Sequence, residues 1–275
     1  MNTNKFERPL YFAVTSSDNN RLDGLKNYQR MDGLLFQVTT VKGWEIDPEV
    51  LYDNLMNKFQ FRNLNNPDVY YNDNIIGLLQ NYRSAFFRLS DFYLKSNNKV
   101  LFKEVMQRVN TVMPPEVIPF TSPQFETVMT AFSAFAGVIP MEDLTIGKQP
   151  LKILQACAEL GLTYKEYEFS KIGFTAVLNI LESDPNSDEV YEYFRAIFGR
   201  NYNQLKNAGD QQWNLAVQTS LTRTKRDLVK AYKFSEDYAG GIELTKKWLT
   251  TDEKDQFAKK QLDEFTKLAN GDSTE

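Results

Sequence analysis

The sequence predicts a mainly α-helical fold, a helical-repeat (tetratricopeptide-like) array behind a small N-terminal α/β element. Three observations carry that reading. Apolar residues recur at three- and four-residue steps through most of the chain after Asn74, as on the buried faces of helices. The β-branched and aromatic runs that read as strands are confined to the first sixty residues. One hairpin, from Arg83 to Pro114, carries large, small and aromatic residues at the spacing of a tetratricopeptide unit. The expected division is an α/β element over residues 1–60 and a helical-repeat-like domain over residues 61–275.

In chain order, Leu10 to Thr15 and Leu34 to Val41 read as strands, with a short helix over Asp23 to Met31 between them. Strand, helix and strand in that order suggest a parallel crossover. Two strands alone are rarely stable, so they should pack on the helical body or belong to a larger sheet. Asp47-Pro48-Glu49 opens a helix with an Asp cap and a proline at the first helical position, running to about Phe59. After an Asn-rich loop, Asn72-Asp73-Asn74 caps the next helix, whose face is Tyr82, Phe86, Leu89 and Tyr93. Ser96-Asn97-Asn98 ends it. Leu101, Val105, Val109 and Val112 mark an antiparallel partner stopped by Pro114-Pro115.

Phe86, Leu89, Ser90, Tyr93 and Pro114 fall at the tetratricopeptide positions, and Met106 and Val109 fill two more. Phe102 departs, because a small residue is expected there. An ordinary amphipathic hairpin is the alternative reading. Further helices are expected at 123–137, 148–160, 164–182, 187–206, 209–233 and 251–270. Turns are expected at Asp184-Pro185-Asn186 and Gly240-Gly241, a capping box at Thr250 to Glu253, and a frayed end from Asn270.

Composition narrows function more than it names one. Hydrophobic residues make up 42% and charged residues 25%, enough for a packed core. There is no histidine and a single cysteine. That removes the commonest general base, a Cys/His zinc site and any intramolecular disulfide. Cys157, flanked by apolar residues, reads as a small core residue. The net charge of −4 argues against nucleic acid as a partner. The basic run Arg223 to Arg226 with Lys230 and Lys233 reads as a solvated helix face. No apolar stretch of about eighteen residues occurs, and Met1 to Lys5 lacks the apolar core of a signal peptide. No Gly-rich phosphate loop, Gly-x-Ser-x-Gly motif or calcium loop is present. Glu166 with Glu168 point apart on a helix, and Asp188 with Glu189 suit a helix N-terminus, so neither pair suggests a hydrolase. No catalytic residue, metal site or cofactor is expected. Trp44, Tyr70 and Tyr71 lie in or near loops and are the candidate binding residues, for a glycan or a protein surface; rings covering a core edge would look the same. Trp213 and Trp248 sit in helical patterns and read as core.

Several segments resemble a known family. Phe6-Glu7-Arg8-Pro9-Leu10-Tyr11-Phe12-Ala13-Val14 is similar to a W-x-R-P-I-Y-F-A strand in the soluble C-terminal region of large bacterial membrane glycosyltransferases related to protein O-mannosyltransferases. Gly24-Leu25, Tyr28, Arg30-Met31, Gly33-Leu34, Asp53 to Phe59, and Arg83, Phe86, Arg88 and Leu89 continue the likeness. It spans about the first 115 residues. The resemblance implies a tetratricopeptide-like module on the extracytoplasmic side of the inner membrane; without it, the cytoplasm is the default. In that family the membrane helices and acidic catalytic loop lie upstream, so no catalytic role is carried over. The strand stub fits a chain that begins inside such a protein. The expected function is a non-catalytic protein-interaction or scaffold domain, with a protein or peptide partner; a carbohydrate-binding module using loop aromatics is the alternative.

Overall fold

The computed structural model describes residues 8–16, 23–140 and 150–271. The fold is mainly α, with a small antiparallel sheet near the N-terminus. The chain divides into two compact units, Met1–Pro140 and Met141–Glu275, whereas the sequence placed a boundary near residue 60. The strands and the first helical hairpin therefore belong to one unit.

The sheet holds β1 (Tyr11–Ala13), β2 (Gln29–Met31) and β3 (Leu35–Val38) in the order β1-β3-β2, all antiparallel. This corrects the expected parallel crossover. The segment Asp23 to Met31 is a short 3-10 helix only to Tyr28; its last three residues form β2. A short turn between β2 and β3 then makes a hairpin, which needs no crossover. Both foreseen strands are shorter than expected, and the polar segment after Ser16 lies largely outside the described residues. Register sorts the side chains. Tyr11, Gln37 and Arg30 stand in one row, and Phe12, Phe36 and Met31 in the next, on the opposite face. Met31 and Val38 are buried on the second face.

Helix α1 (Pro48–Tyr52) starts as foreseen, with Asp47 accepting from the N–H groups of Glu49 and Val50, and it continues as a π-helical turn over Asp53–Lys58. Helices α2 (Asp73–Lys95) and α3 (Lys99–Val112) form the expected hairpin, capped by Asn72 and Asn98. Phe86, Leu89, Ser90, Tyr93, Met106 and Val109 are all buried in it, and Ser90 Oγ lies 3.2 Å from Met106 Sδ. Phe102 meets Phe132 of α4 (Pro123–Phe135) edge to face at 5.8 Å. The large ring thus serves the next helix rather than the hairpin crossing. Between α3 and α4 the chain is held by Arg83, 1% exposed. Its guanidinium donates to the carbonyls of Met113 (2.9 Å) and Ile118 and to Gln80 Oε1 (3.2 Å), and stacks 4.1 Å from the Phe120 ring centre.

In the second unit, α5 (Pro150–Tyr164) and α6 (Tyr167–Leu181) cross closely through small residues, with Ser170 Oγ donating to the Ala158 carbonyl at 2.9 Å. The helix expected over 187–206 is interrupted at Gly199, giving α7 (Asp188–Phe198) and α8 (Tyr202–Lys206). Helix α9 (Asp210–Phe234) is followed by α10 (Tyr238–Thr251) and α11 (Gln256–Ala269). Two expectations fail here. Gly240-Gly241 is no turn but lies inside α10, whose cap is Asp237. Thr250-Thr251 ends that helix, and α11 is capped by Asp255. Gly241 is needed for contact: a Cβ there would stand 2.5 Å from the Phe265 ring. The frayed end expected from Asn270 falls partly outside the described residues; Asn270 itself caps α11.

Phe265, Trp248, Leu228, Phe174 and Ala158 share one core cluster, and Trp213, Phe194, Val190 and Val177 another. Cys157 is fully buried, and burial pushes its thiol up to about 12, so it is inert packing. Lys171 ties α6 to the start of α10, pairing with Asp237 at 2.9 Å beneath the Tyr232 ring. The hydrogen bond from Lys171, with that from the Gly240 N–H, holds the Asp237 carboxyl below its ordinary 3.8. A depressed carboxyl adds stability above its unfolded value, and that stability is lost as pH falls through the folded value. Wild type should therefore lose more stability than Asp237→Asn between pH 5 and about 3. Parallel denaturant titrations check this; equal losses would discount the pair.

Candidate functional site

The three aromatic candidates meet different fates. Tyr71 is half-buried, its hydroxyl donating to the Asn63 carbonyl at 2.9 Å, so it fastens its own loop. Tyr70 is 87% exposed, without a ring partner among the described residues. Trp44 is 38% exposed and is built into a site.

That site begins with the loop after β3. Thr39 N–H donates to the Tyr28 carbonyl, Gly43 N–H to the Asn27 carbonyl, and Met31 N–H to the Glu45 carbonyl. Gly43, at φ +78°, turns the chain where a side chain would be strained. The loop is thereby folded back along β2, with Met31 bridging Ile46 in parallel, and Trp44 is carried over Arg30. The guanidinium carbon of Arg30 lies 4.2 Å from the indole ring centre, a cation–π stack. Arg30 is fixed in turn: it grips both oxygens of Asp32 (2.8 and 3.0 Å), donates to Gln37 Oε1 (2.7 Å), and reaches Asp47 Oδ2 (3.3 Å). The hydrogen bond to Asp32 raises the guanidinium pKa above its ordinary value. Asp47 also caps α1, so one arginine joins two strands, the loop and a helix start.

Trp44 lines an open groove of about 530 Å³ together with Gly43, Glu45, Ile46 and the outward face of α2. From α2 come Arg88, Asp91, Phe92 and Lys95, spaced so that they share one helix face. Arg88 pairs with Glu45 at 3.6 Å, and Lys95 with Asp91 at 2.8 Å. The groove thus offers an indole, the exposed ring of Phe92, and balanced donors and acceptors. Tyr70 and Tyr71 do not line it. Of the groove's lining the sequence reading names Trp44 as a candidate, and it gives no site role to Arg30 or the α2 face. The available signal was Phe92, an apolar ring on an otherwise charged helix face.

The basic run on α9 splits. Arg223, Arg226 and Lys230 line its exposed face with Leu215, Gln218 and Thr222. Lys225 turns inward over Trp248 and pairs with Asp255, and Lys233 lies over Phe265 and pairs with Glu264. Among the described residues no helix is long and apolar enough to cross a membrane, and no group of three metal-ligating side chains occurs. No family model, curated protein or solved structure matches the chain.

Proposed function

We propose that this chain is a non-catalytic interaction domain that docks a protein or peptide partner in the Trp44 groove. The observation that carries this is the fixing of Trp44. An indole pinned by a guanidinium that is itself held by four hydrogen bonds faces paired charges that a polar backbone could engage, and a ring held in place loses little freedom on binding. The helical-repeat reading finds support in the second unit. Leu154, Cys157, Ala158, Ser170, Phe174 and Val177 follow the tetratricopeptide spacing, with Ala158 about two 34-residue periods after Ser90, while Gly161 and Glu182 stand where an aromatic residue and a closing proline are expected. As the soluble tail of a membrane glycosyltransferase, the domain would hold an acceptor polypeptide or a neighbouring subunit outside the inner membrane. Glycan binding is the second reading, favoured by the Glu45 and Asp91 carboxylates beside the indole.

Tryptophan emission tests both. Trp213 and Trp248 are buried at 4%, so collisional quenching by acrylamide reports on Trp44. Hits from a peptide array should protect Trp44 from acrylamide, and Trp44→Ala should weaken them about tenfold or more. Protection by neutral oligosaccharides instead would move the assignment to a glycan. Binding that ignores Trp44→Ala would sink both readings.

A further inference from the structure

Among the described residues the two edges of the sheet are covered unequally. Along β2 the Met31 N–H is taken by the Glu45 carbonyl, and Met31 bridges Ile46. Along β1 the inner groups are spent on β3: Val38 N–H donates to the Leu10 carbonyl, and Val14 N–H to the Leu34 carbonyl. Alternation in an antiparallel ladder then turns Tyr11 and Ala13 outward. The Ala13 carbonyl closes a turn with Ser16 N–H. The N–H and C=O of Tyr11 and the N–H of Ala13 have no partner among the described residues. Edge strands are commonly protected by charge, a bulge or a covering element. Leu10 to Thr15 carries no charge, and the flanking Tyr11 and Leu35 are 42% and 45% exposed.

We propose that β1 is a strand-addition edge, taking an extended segment of a partner polypeptide as a fourth strand. The occupant follows from the vacant groups. A donor and acceptor on Tyr11 and a donor two residues on are matched by an extended backbone, which presents such groups at that repeat. Pro9 precedes the edge and limits the match to a few residues. The exposed Tyr11 and Leu35 side chains call for apolar side chains at alternate positions of the incoming strand. Being read from backbone bonding alone, the edge does not depend on the Trp44 groove.

The test uses the full chain and a capped seven-residue peptide of alternating valine and threonine with a terminal lysine. In amide exchange followed by NMR, Tyr11 and Ala13 should exchange freely in the unbound protein, while Val14 and Val38 are protected. Millimolar peptide should slow Tyr11 and Ala13 at least tenfold. Ala13→Pro removes one outward donor and should weaken binding at least tenfold. The same peptide N-methylated at alternate residues should fail on unaltered protein, a control independent of any variant's folding. Trp44→Ala should leave all of this unchanged, which separates the edge from the groove. Slow exchange at Tyr11 and Ala13 in dilute unbound protein would show the edge already closed. Protection that grows with protein concentration would assign it to a second copy. Either result, or no slowing with peptide, overturns the proposal.

Discussion

Arg83→Met should cost the first unit about 3 kcal/mol, near 10 °C in its unfolding midpoint. The side chain is 1% exposed and holds the carbonyls of Met113 and Ile118. Removing a donor from a buried carbonyl costs about 1–3 kcal/mol for each group stranded. The loss is moderated because the charge itself sits badly. Burial lowers the guanidinium pKa to about 10, and the acids that raise it, Glu116 and Glu126, act at a distance. Methionine fills similar volume without that penalty. Lysine should not rescue: Nη2 alone serves both carbonyls, but the shorter lysine places its ammonium short of that position, is costlier to strip of water, and lacks the planar stack on Phe120. Thermal unfolding of the three proteins by circular dichroism decides it. A methionine variant within about 0.5 kcal/mol of wild type would mean the carbonyls find other donors.

Phe265→Ala should cost the second unit about 4 kcal/mol, in the range for deleting a buried ring. Phe265 is fully buried among Trp248, Leu228, Phe174 and Ala258, and its ring occupies the space where a side chain on Gly241 would begin. Gly241→Ala alone should be destabilising, because overpacking costs about 1–3 kcal/mol against roughly 1 kcal/mol gained in helix propensity. In the Phe265→Ala background the same alanine should become favourable, entering the cavity. Urea unfolding of the four proteins should give a coupling of about 1 kcal/mol or more. Additive effects would show that α10 and α11 shift apart to admit the methyl group.

Gly241 also shows where local reading of the sequence ends. Two adjacent glycines are a strong turn signal, and nothing near Gly240-Gly241 reveals that a ring from twenty-four residues on needs the space. The helix starts at Asp47 and Asn72 were legible because these caps act on backbone groups two or three residues away. Strand β2 was hidden because Gln29-Arg30-Met31 is extended by its pairing with β3 rather than by its own preference. The close crossing of α5 and α6 was legible in principle: Ala158 with Gly161, and Ser170 with Gly173, put small residues one helical turn apart on each helix, and they meet in the fold. For the site, an aromatic residue in or near a loop marked Trp44, and the same signal marked Tyr70 and Tyr71, which lie outside the groove. Arg30 read as one residue of an expected helix, and only the folded register shows four acceptors and a ring converging on it.

That same convergence has a bearing on how the small sheet chooses its pairing. Short strands without long alternating patterns are free to slip, and a one-residue slip reverses every side chain. Here a slip of β3 against β2 would carry Gln37 to the face of Phe12 and Met31 and put Phe36 beside Arg30. The guanidinium would lose its amide partner, and an amide would enter the apolar side. The Arg30 cluster therefore acts as a key that fits one alignment of three- and four-residue strands, giving the sheet a uniqueness its length could not supply.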